Sequence, residues 1–428
     1  MLKKCKLKHT HRRKDLATQG LFFVSKKQYN QTNFNGDSSM QIYLVGGAVR
    51  DTLLNLPIKD KDFMVVGGSA EQMLAQGFEQ VGADFPVFLH PITHAEYALA
   101  RTERKSGHGY QGFSVSTNNV SLEDDLMRRD LTINAMAMSV RSLFDDALTG
   151  QIVDPYGGQD DLGKKVLRHI SPAFSEDPLR VLRVARFYAR FYDIGFVVAD
   201  ETAALMQSIA KDGELNHLSR ERIWSESARA LGEKHGYAYF KLLLELGILK
   251  YILPELSDSL QDKVRRESAF AALEYHSDAS LTIKFALLMS VFLGDPDALD
   301  KLQHTTNRLM TPNHIKNFAK AFITHHDNIL KLPNIDADTL LSLIEQTRAH
   351  KDDETIRLLI QTVNALHKTN ISMDFMINAI KIYNKIGIND VNPNLKGKAI
   401  GDELTRLRKI QLADDIDQYL EDTTRKHS

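Results

Sequence analysis

"YLVGGAVRDTLLNLPIKDKDFMVV", residues 43–66, sets a short apolar run against two glycines, an arginine and an aspartate, then places two aspartates around one lysine at the head of a second apolar run. "QIYLV" and "DFMVV" have strand composition, and "AVRDTLL" between them has the spacing of a short helix. Strand side chains alternate between faces, so Asp60 and Asp62 are expected on one face of the second strand. Two adjacent carboxylates repel unless a cation lies between them. Mg²⁺ favours a few carboxylate oxygens combined with phosphate oxygens. Gly46 and Gly47 permit a close backbone approach to a ligand, the helix start offers N–H groups to a phosphate, and Arg50 adds a guanidinium fork. A single carboxylate would pass as a turn residue. The pair, in a strand–helix–strand setting, reads as a metal site.

Working outward, the chain has 428 residues, 43% hydrophobic and 25% charged, an ordinary soluble composition. That length has room for roughly two to four domains. No apolar run reaches the ~18 residues of a membrane-spanning helix. Cys5 is the only cysteine, which excludes an internal disulfide and fits a reducing, cytoplasmic setting. Residues 1–39 carry nine Lys or Arg against two acidic residues and lack apolar periodicity. They are read as a disordered basic extension, with Met40 as an alternative start. Without them 45 basic and 53 acidic residues remain, a net charge of −8, so any nucleic-acid contact needs locally concentrated positive charge.

Residues 41–165 mix strand and helix signals, with further strands in "FPVFL", "EYALAR" and "IVDPYGG". "TERKSGHGYQGFSVSTNN", residues 102–119, reads as a mobile loop beside the site. From about residue 174 the pattern is helical, as in "YAYFKLLLELGILKYI", "ADTLLSLIEQTRAH" and "DETIRLLIQTVNALHK". The fold class is therefore α+β, a head with a small mixed sheet followed by an all-α remainder. In "SEDPLRVLRVARFYAR", residues 175–190, Asp177 before Pro178 has the form of an N-cap and a first-turn proline. Arg180, Arg183, Arg186 and Arg190 recur on one helix face, the local positive charge that the acidic remainder otherwise lacks.

"LVGGAVRD…DKDFMVVG" resembles the signature of the polymerase-β-type nucleotidyltransferases, and more narrowly class II CCA-adding tRNA nucleotidyltransferases and bacterial poly(A) polymerases. "RRDLTINAMA", residues 128–137, matches that family's second motif, and "DPYGGQDDL", residues 154–162, its hinge between head and neck. The resemblance implies that Asp60 and Asp62 hold two Mg²⁺ ions and that Gly47 and Arg50 face the nucleotide. It assigns Arg129 to the nucleotide and Asp130 to its ribose. It makes Asp177 and Arg180 the readers of the incoming base, with Arg183 and Arg186 on nucleotide and phosphates. A third carboxylate is expected in such folds. Glu96 is the candidate, with a rim residue as the alternative.

The implied reaction adds the 3′-terminal CCA to tRNA from CTP and ATP and releases pyrophosphate. Partners are then tRNA and the two nucleotides, with no membrane and no obligate protein partner. The rivals are a poly(A) polymerase, a CC-only or A-only enzyme, and an inactive RNA-binding protein on the same scaffold. The expected divisions are the extension to residue 39, a head over 40–165, a neck over 166–235, a body over 236–330 and a tail over 331–428. Long relatives carry a metal-dependent phosphohydrolase (HD) domain in the body. Here Ser290 and Val291 stand where its His-Asp pair is expected, so the region reads as degenerate, with "THHD" at 324–327 left over. "LKGKAIGDELTRLRK", residues 395–409, is either an RNA-backbone contact or an ordinary capped helix.

Overall fold

The computed structural model describes residues 40–81, 87–105, 113–116, 120–143 and 150–427. The basic extension, Cys5 included, lies outside the described residues. The head opens with β1 (Gln41–Val45), α1 (Gly47–Leu53), β2 (Asp62–Val66), α2 (Ala70–Ala75), β3 (Glu79–Val81), β4 (Val87–Leu89) and β5 (Glu96–Leu99). β6 (Thr102–Lys105), β7 (Phe113–Ser116), α3 (Leu122–Met127), β8 (Ala137–Val140), β9 (Ile152–Val153) and α4 (Gly158–Lys164) complete it. Among the described residues, seven strands form one sheet in the order β3-β4-β5-β2-β1-β8-β9. β2 and β5 run parallel and the other neighbours antiparallel, which makes the sheet mixed.

The period-two pattern explains the packing. Ile42, Leu44, Phe63, Val65 and Met138 face the main core. Val45, Met64 and Ala137 face a smaller cluster closed by Leu122 and Leu126 of α3. The stretch read as a mobile loop contains a hairpin instead, with β6 and β7 antiparallel from Thr102↔Ser116 to Lys105↔Phe113. Its polar composition hid the pairing, and residues 106–112 and 117–119 lie outside the described residues.

The remainder adds a short parallel pair, β10 (Val166–Leu167) and β11 (Val197–Val198), to an otherwise helical array. Its helices are α5 (Leu179–Arg190), α6 (Asp200–Lys211), α7 (Arg220–Gly232), α8 (Tyr237–Glu245), α9 (Leu249–Ile252), α10 (Pro254–Ser259) and α11 (Lys263–Tyr275). α12 (Leu281–Met289), α13 (Ala298–Leu309), α14 (Asn313–Leu330), α15 (Ala337–Gln346), α16 (Glu354–His367), α17 (Met373–Lys385) and α18 (Lys398–His427) follow. "YAYFKLLLELGILKYI" is split in two because Gly247, at φ +67°, ends α8 in the left-handed region that glycine adopts freely. α5 packs against α7 and α8, and α18 against α15 and α17. One apolar cluster runs from Ile42 in the head to Ile416 in α18, so head and helices share a core. Among the described residues no helix is long and apolar enough to cross a membrane.

Candidate active site

β1 ends at Val45, paired with Asp62, and Gly46 then turns the chain away at φ +67°. β2 therefore begins at Asp62, and Asp60 lies in the connection before it rather than on the strand. The expectation of one shared strand face is corrected here, because the turn at Gly46 leaves Asp60 no β1 partner. Both carboxylates still line one cavity of about 860 Å³, together with Lys59, Lys61, His94 and Glu96. Glu96 opens β5 directly opposite Asp62 in the parallel register. Burial pushes the Asp62 carboxyl up, the nearby Arg129 opposes this, and Asp60 adds to the rise.

The fit to a divalent cation follows from that repulsion. A cation beside Asp62 and Asp60 would offset a penalty that the fold otherwise sustains. Among the described residues no three His, Cys, Asp or Glu side chains stand close enough to hold a metal ion alone. The oxygen donors match a Mg²⁺-like ion whose shell phosphate oxygens complete.

Arg129 approaches from the end of α3. Its Nη1 donates to the Asn134 carbonyl at 3.4 Å and Nη2 lies 3.6 Å from the buried Asp125. A Cβ on Gly46 would come within 2.6 Å of the Arg129 Nη1 and push the guanidinium aside, and the φ of +67° strains any residue but glycine there. Nε of Arg129 is buried without a hydrogen-bond partner. Gly47 opens α1, where an added Cβ would be 3.4 Å from the Arg50 guanidinium.

Arg50 itself turns inward. It donates to Asp51 at 2.8 Å and to Asn134 at 2.5 Å, and its guanidinium sits 5.2 and 5.1 Å from the rings of Phe187 and Phe191. The expected phosphate fork is here a buried strut between α1 and α5, because one turn of α1 carries it to the inner face.

The arginine stripe of α5 likewise forms a clamp. Arg180 donates to the carbonyls of Ala173 and Arg128 at 2.8 and 2.6 Å. Arg183 meets Asp130 at 2.7 Å and Arg190 meets Asp51 at 2.9 Å. Arg186 pairs with the buried Glu226 of α7 at 2.6 Å. Burial acts to raise the Asp130 carboxyl, but Arg183 and hydrogen bonds from Asn134 and Arg183 outweigh it and hold the group well below the usual carboxylate range. At the head of α5, Asp177 accepts the Leu179 N–H at 3.1 Å, and Pro178 follows with φ −58°. The Asp177 carboxylate also receives Arg222 of α7, at 2.9 and 3.2 Å. Asp51, Asn134, Arg222 and Glu226 were given no role from the sequence. Asn134 stood inside the quoted "TINAMA", and Arg222 and Glu226 stand four apart in "RERIWSE".

The hinge motif forms a fastened turn. Asp154 accepts from the N–H groups of Gly158 and Gln159 at 2.7 and 2.8 Å, and Gly158 approaches the Thr132 carbonyl so closely that a Cβ would lie 2.4 Å away.

Residues 42–168 match the family described as the Poly A polymerase head domain, and residues 195–260 match the probable RNA and SrmB-binding site of polymerase A. A Multifunctional CCA protein of Acinetobacter baumannii (strain AYE) is 41% identical over 421 residues, covering 89% of this chain and 98% of the relative. The chain belongs to the CCA-adding tRNA nucleotidyltransferase family. A solved Thermotoga maritima CCA-adding enzyme complexed with tRNA_CCA shares the fold at TM-score 0.59 and 19% identity, covering 90% of this chain and 92% of that one. A solved CCA-adding enzyme complex with CTP does so at TM-score 0.59 and 21% identity, covering 91% and 92%.

Two histidines meet between α14 and α16 of this CCA-adding family member. His326 is buried in α14, with Nδ1 2.7 Å from Asp327 and Nε2 2.7 Å from Nε2 of His367. Ser290 is buried and donates to the Leu287 carbonyl at 2.6 Å. In the tail, Arg408 stacks 3.8 Å over the Tyr383 ring, Arg406 pairs with Glu403 at 2.8 Å and Lys409 pairs with Asp338.

Proposed function

We propose that the protein adds the 3′-terminal CCA to tRNA, using CTP and then ATP and no nucleic-acid template. The observation that carries this reading is the register of β2 and β5. It sets Glu96 opposite Asp62, in the cavity that Asp60 also lines, with Arg129 near enough to Asp62 to act on its charge. The bond formed joins the tRNA 3′-oxygen to the α-phosphorus. The bond broken is the α–β phosphoanhydride, the leaving group is pyrophosphate, and the 3′-hydroxyl proton passes to solvent or a carboxylate. Divalent ions held by Asp60 and Asp62, Mg²⁺ above all, would supply Lewis-acid stabilisation of the oxygens that gain charge.

The chain's own residues do the rest. Arg129 sits over the glycine turn and offers positive charge to the triphosphate. The Asp130–Arg183 pair fixes α5 against the head and offers polar edges to the ribose and phosphates. Asp177 accepts from an exocyclic amino group, which C and A share, and Arg180 donates to the adjacent ring nitrogen. Both now bond to protein groups, so base reading exchanges the bonds to Arg222, Ala173 and Arg128 for bonds to the nucleotide.

The test is incubation with tRNA lacking its terminal CCA and labelled CTP alone, ATP alone, or both. Two C residues with CTP, and then a single A, is the expected result. A long A tail identifies a poly(A) polymerase, one partial product a CC-only or A-only enzyme, and no product an inactive scaffold.

A further inference from the structure

Val45, Asp62, Glu96 and Leu89 pair in one row across the end of the sheet, Val45 with Asp62, Asp62 with Glu96, and Glu96 with Leu89. Two turns leave this end. Gly46 follows Val45 on one side of the carboxylates, and residues 90–95 join β4 to β5 on the other. Nucleotide transfer is an in-line displacement, so the attacking oxygen and the departing pyrophosphate lie on opposite sides of the α-phosphorus. Arg129 lies over the Gly46 turn and draws the triphosphate to that side. The RNA end is left the side of Glu96 and the β4–β5 turn. One strand step is about 4.8 Å, so a side chain of this turn can reach the nucleotide that carries the attacking hydroxyl.

The turn is held rigidly. The buried His90 ring accepts the N–H groups of Ile92 and Thr93 at Nδ1, at 3.2 and 3.1 Å, and packs edge-on to Phe78 at 5.3 Å. The His90 carbonyl accepts the His94 N–H at 3.0 Å, and the His90 N–H donates to the Ala95 carbonyl at 3.0 Å. These bonds hold His94 at φ +56°. The other five described non-glycine residues at positive φ stand at or just past the end of a helix, where a left-handed residue is common. His94 stands between two strands, and strain of this kind gathers at functional sites. Its ring is exposed, lines the cavity of Asp60, Asp62 and Glu96, and makes no hydrogen bond among the described residues. An imidazole always has at least one N–H to donate, and a phosphodiester only accepts. Ile92, 68% exposed, adds apolar surface at the same turn. We infer that the β4–β5 turn seats the 3′-terminal nucleotide of the tRNA, with His94 donating to the phosphate that precedes the attacking hydroxyl and Ile92 against the sugar. Phosphate contacts carry no base sequence, which suits an RNA end that changes with each addition. The inference rests on the proposed addition of CCA and names the side chain that positions its acceptor.

The test uses the full-length protein, labelled ATP and an RNA minihelix of acceptor and T arms that ends in CC. The last linkage is either a phosphodiester or a neutral methylphosphonate. The wild type is compared with H94G, since glycine adopts this φ freely and keeps the turn while the ring is lost. H94G should raise KM for the minihelix and leave KM for ATP unchanged, because the nucleotide binds at the other turn. The methylphosphonate penalty in kcat/KM should be about tenfold greater for the wild type than for H94G, which has no contact left to lose. Equal penalties in the two proteins, or a KM that rises for ATP and not for the minihelix, overturn the seat at His94 while CCA addition stands. A wild type that adds nothing to the unmodified minihelix overturns the proposed reaction, and the seat with it.

Discussion

Asp62 carries the chemistry at the residue scale. Its carboxylate is pushed up by burial and by Asp60, and it faces Glu96 across the parallel register. Asp60→Ala or Asp62→Ala is expected to abolish nucleotide transfer in a protein that stays folded, because neither side chain belongs to the apolar core. Retained transfer at ordinary Mg²⁺ by either variant refutes the assignment. A pH dependence follows with a definite sign. A metal needs the ionised carboxylate, and Asp62 holds its proton above the usual Asp range near ~3.9. The Mg²⁺ concentration for half-maximal rate should therefore rise as pH falls, with a midpoint above that range. A midpoint at or below it would show that burial and Asp60 do not raise the Asp62 carboxyl. Much of this was legible in the sequence, since Asp60 and Asp62 are two apart and announce themselves together. Glu96 was legible only as a strand start, because register depends on pairing that no single run encodes. The orientation of Arg50 was not legible at all. Its partner Asn134 lies 84 residues away, and the rings that cover it come from α5.

The decisive element is α5. Its three- and four-residue spacing of arginines placed them on one face, and that much the periodicity supplied. Apart from the Ala173 carbonyl, the destinations of those side chains lie on the head and on α7, 40 to 139 residues away in sequence, and periodicity is blind to them. Asp177 and Arg180 project from the helix start, where the cap at Leu179 restricts their freedom. Asp177→Ala and Arg180→Ala should lose selection of CTP and ATP over UTP and GTP, because a buried polar group left unpaired costs about 1–3 kcal/mol. Values of kcat/KM for all four nucleotides decide the matter. If Arg180→Ala slows each by one factor, α5 does not read the base. Arg186 belongs to a different class, since its buried partner Glu226 is only 3% exposed. Arg186→Met leaves that charge unpaired and should cost about 3–5 kcal/mol of stability. Arg186→Met with Glu226→Leu should recover most of it in a urea titration, whereas a double variant as unstable as the single one would show that packing, not charge, sets the loss.

Across the whole molecule, the helices join the head in one apolar cluster, so they serve as its framework. A phosphohydrolase of the HD kind needs several His and Asp ligands converging on a metal. In this body Ser290 turns its hydroxyl to the Leu287 carbonyl, and Val291 is wholly buried as an apolar side chain. Neither can be a good ligand in that setting. His326 and His367 are committed to each other: Nε2 of His326 faces Nε2 of His367, and Nδ1 of His326 faces Asp327. A metal entering there would have to break a hydrogen bond between two helices, and among the described residues it would find no set of three ligands. Burial also pushes the neighbouring His325 imidazole down, so its proton is lost readily, yet deprotonation alone does not gather partners around it. We therefore expect no turnover of 2′,3′-cyclic phosphates or pyrophosphate with added Ni²⁺ or Mn²⁺, under conditions where CCA addition proceeds. Metal-dependent turnover that disappears in His325→Ala and His326→Ala would mean that the body assembles ligands on binding metal, and the framework reading of these helices would have to be given up.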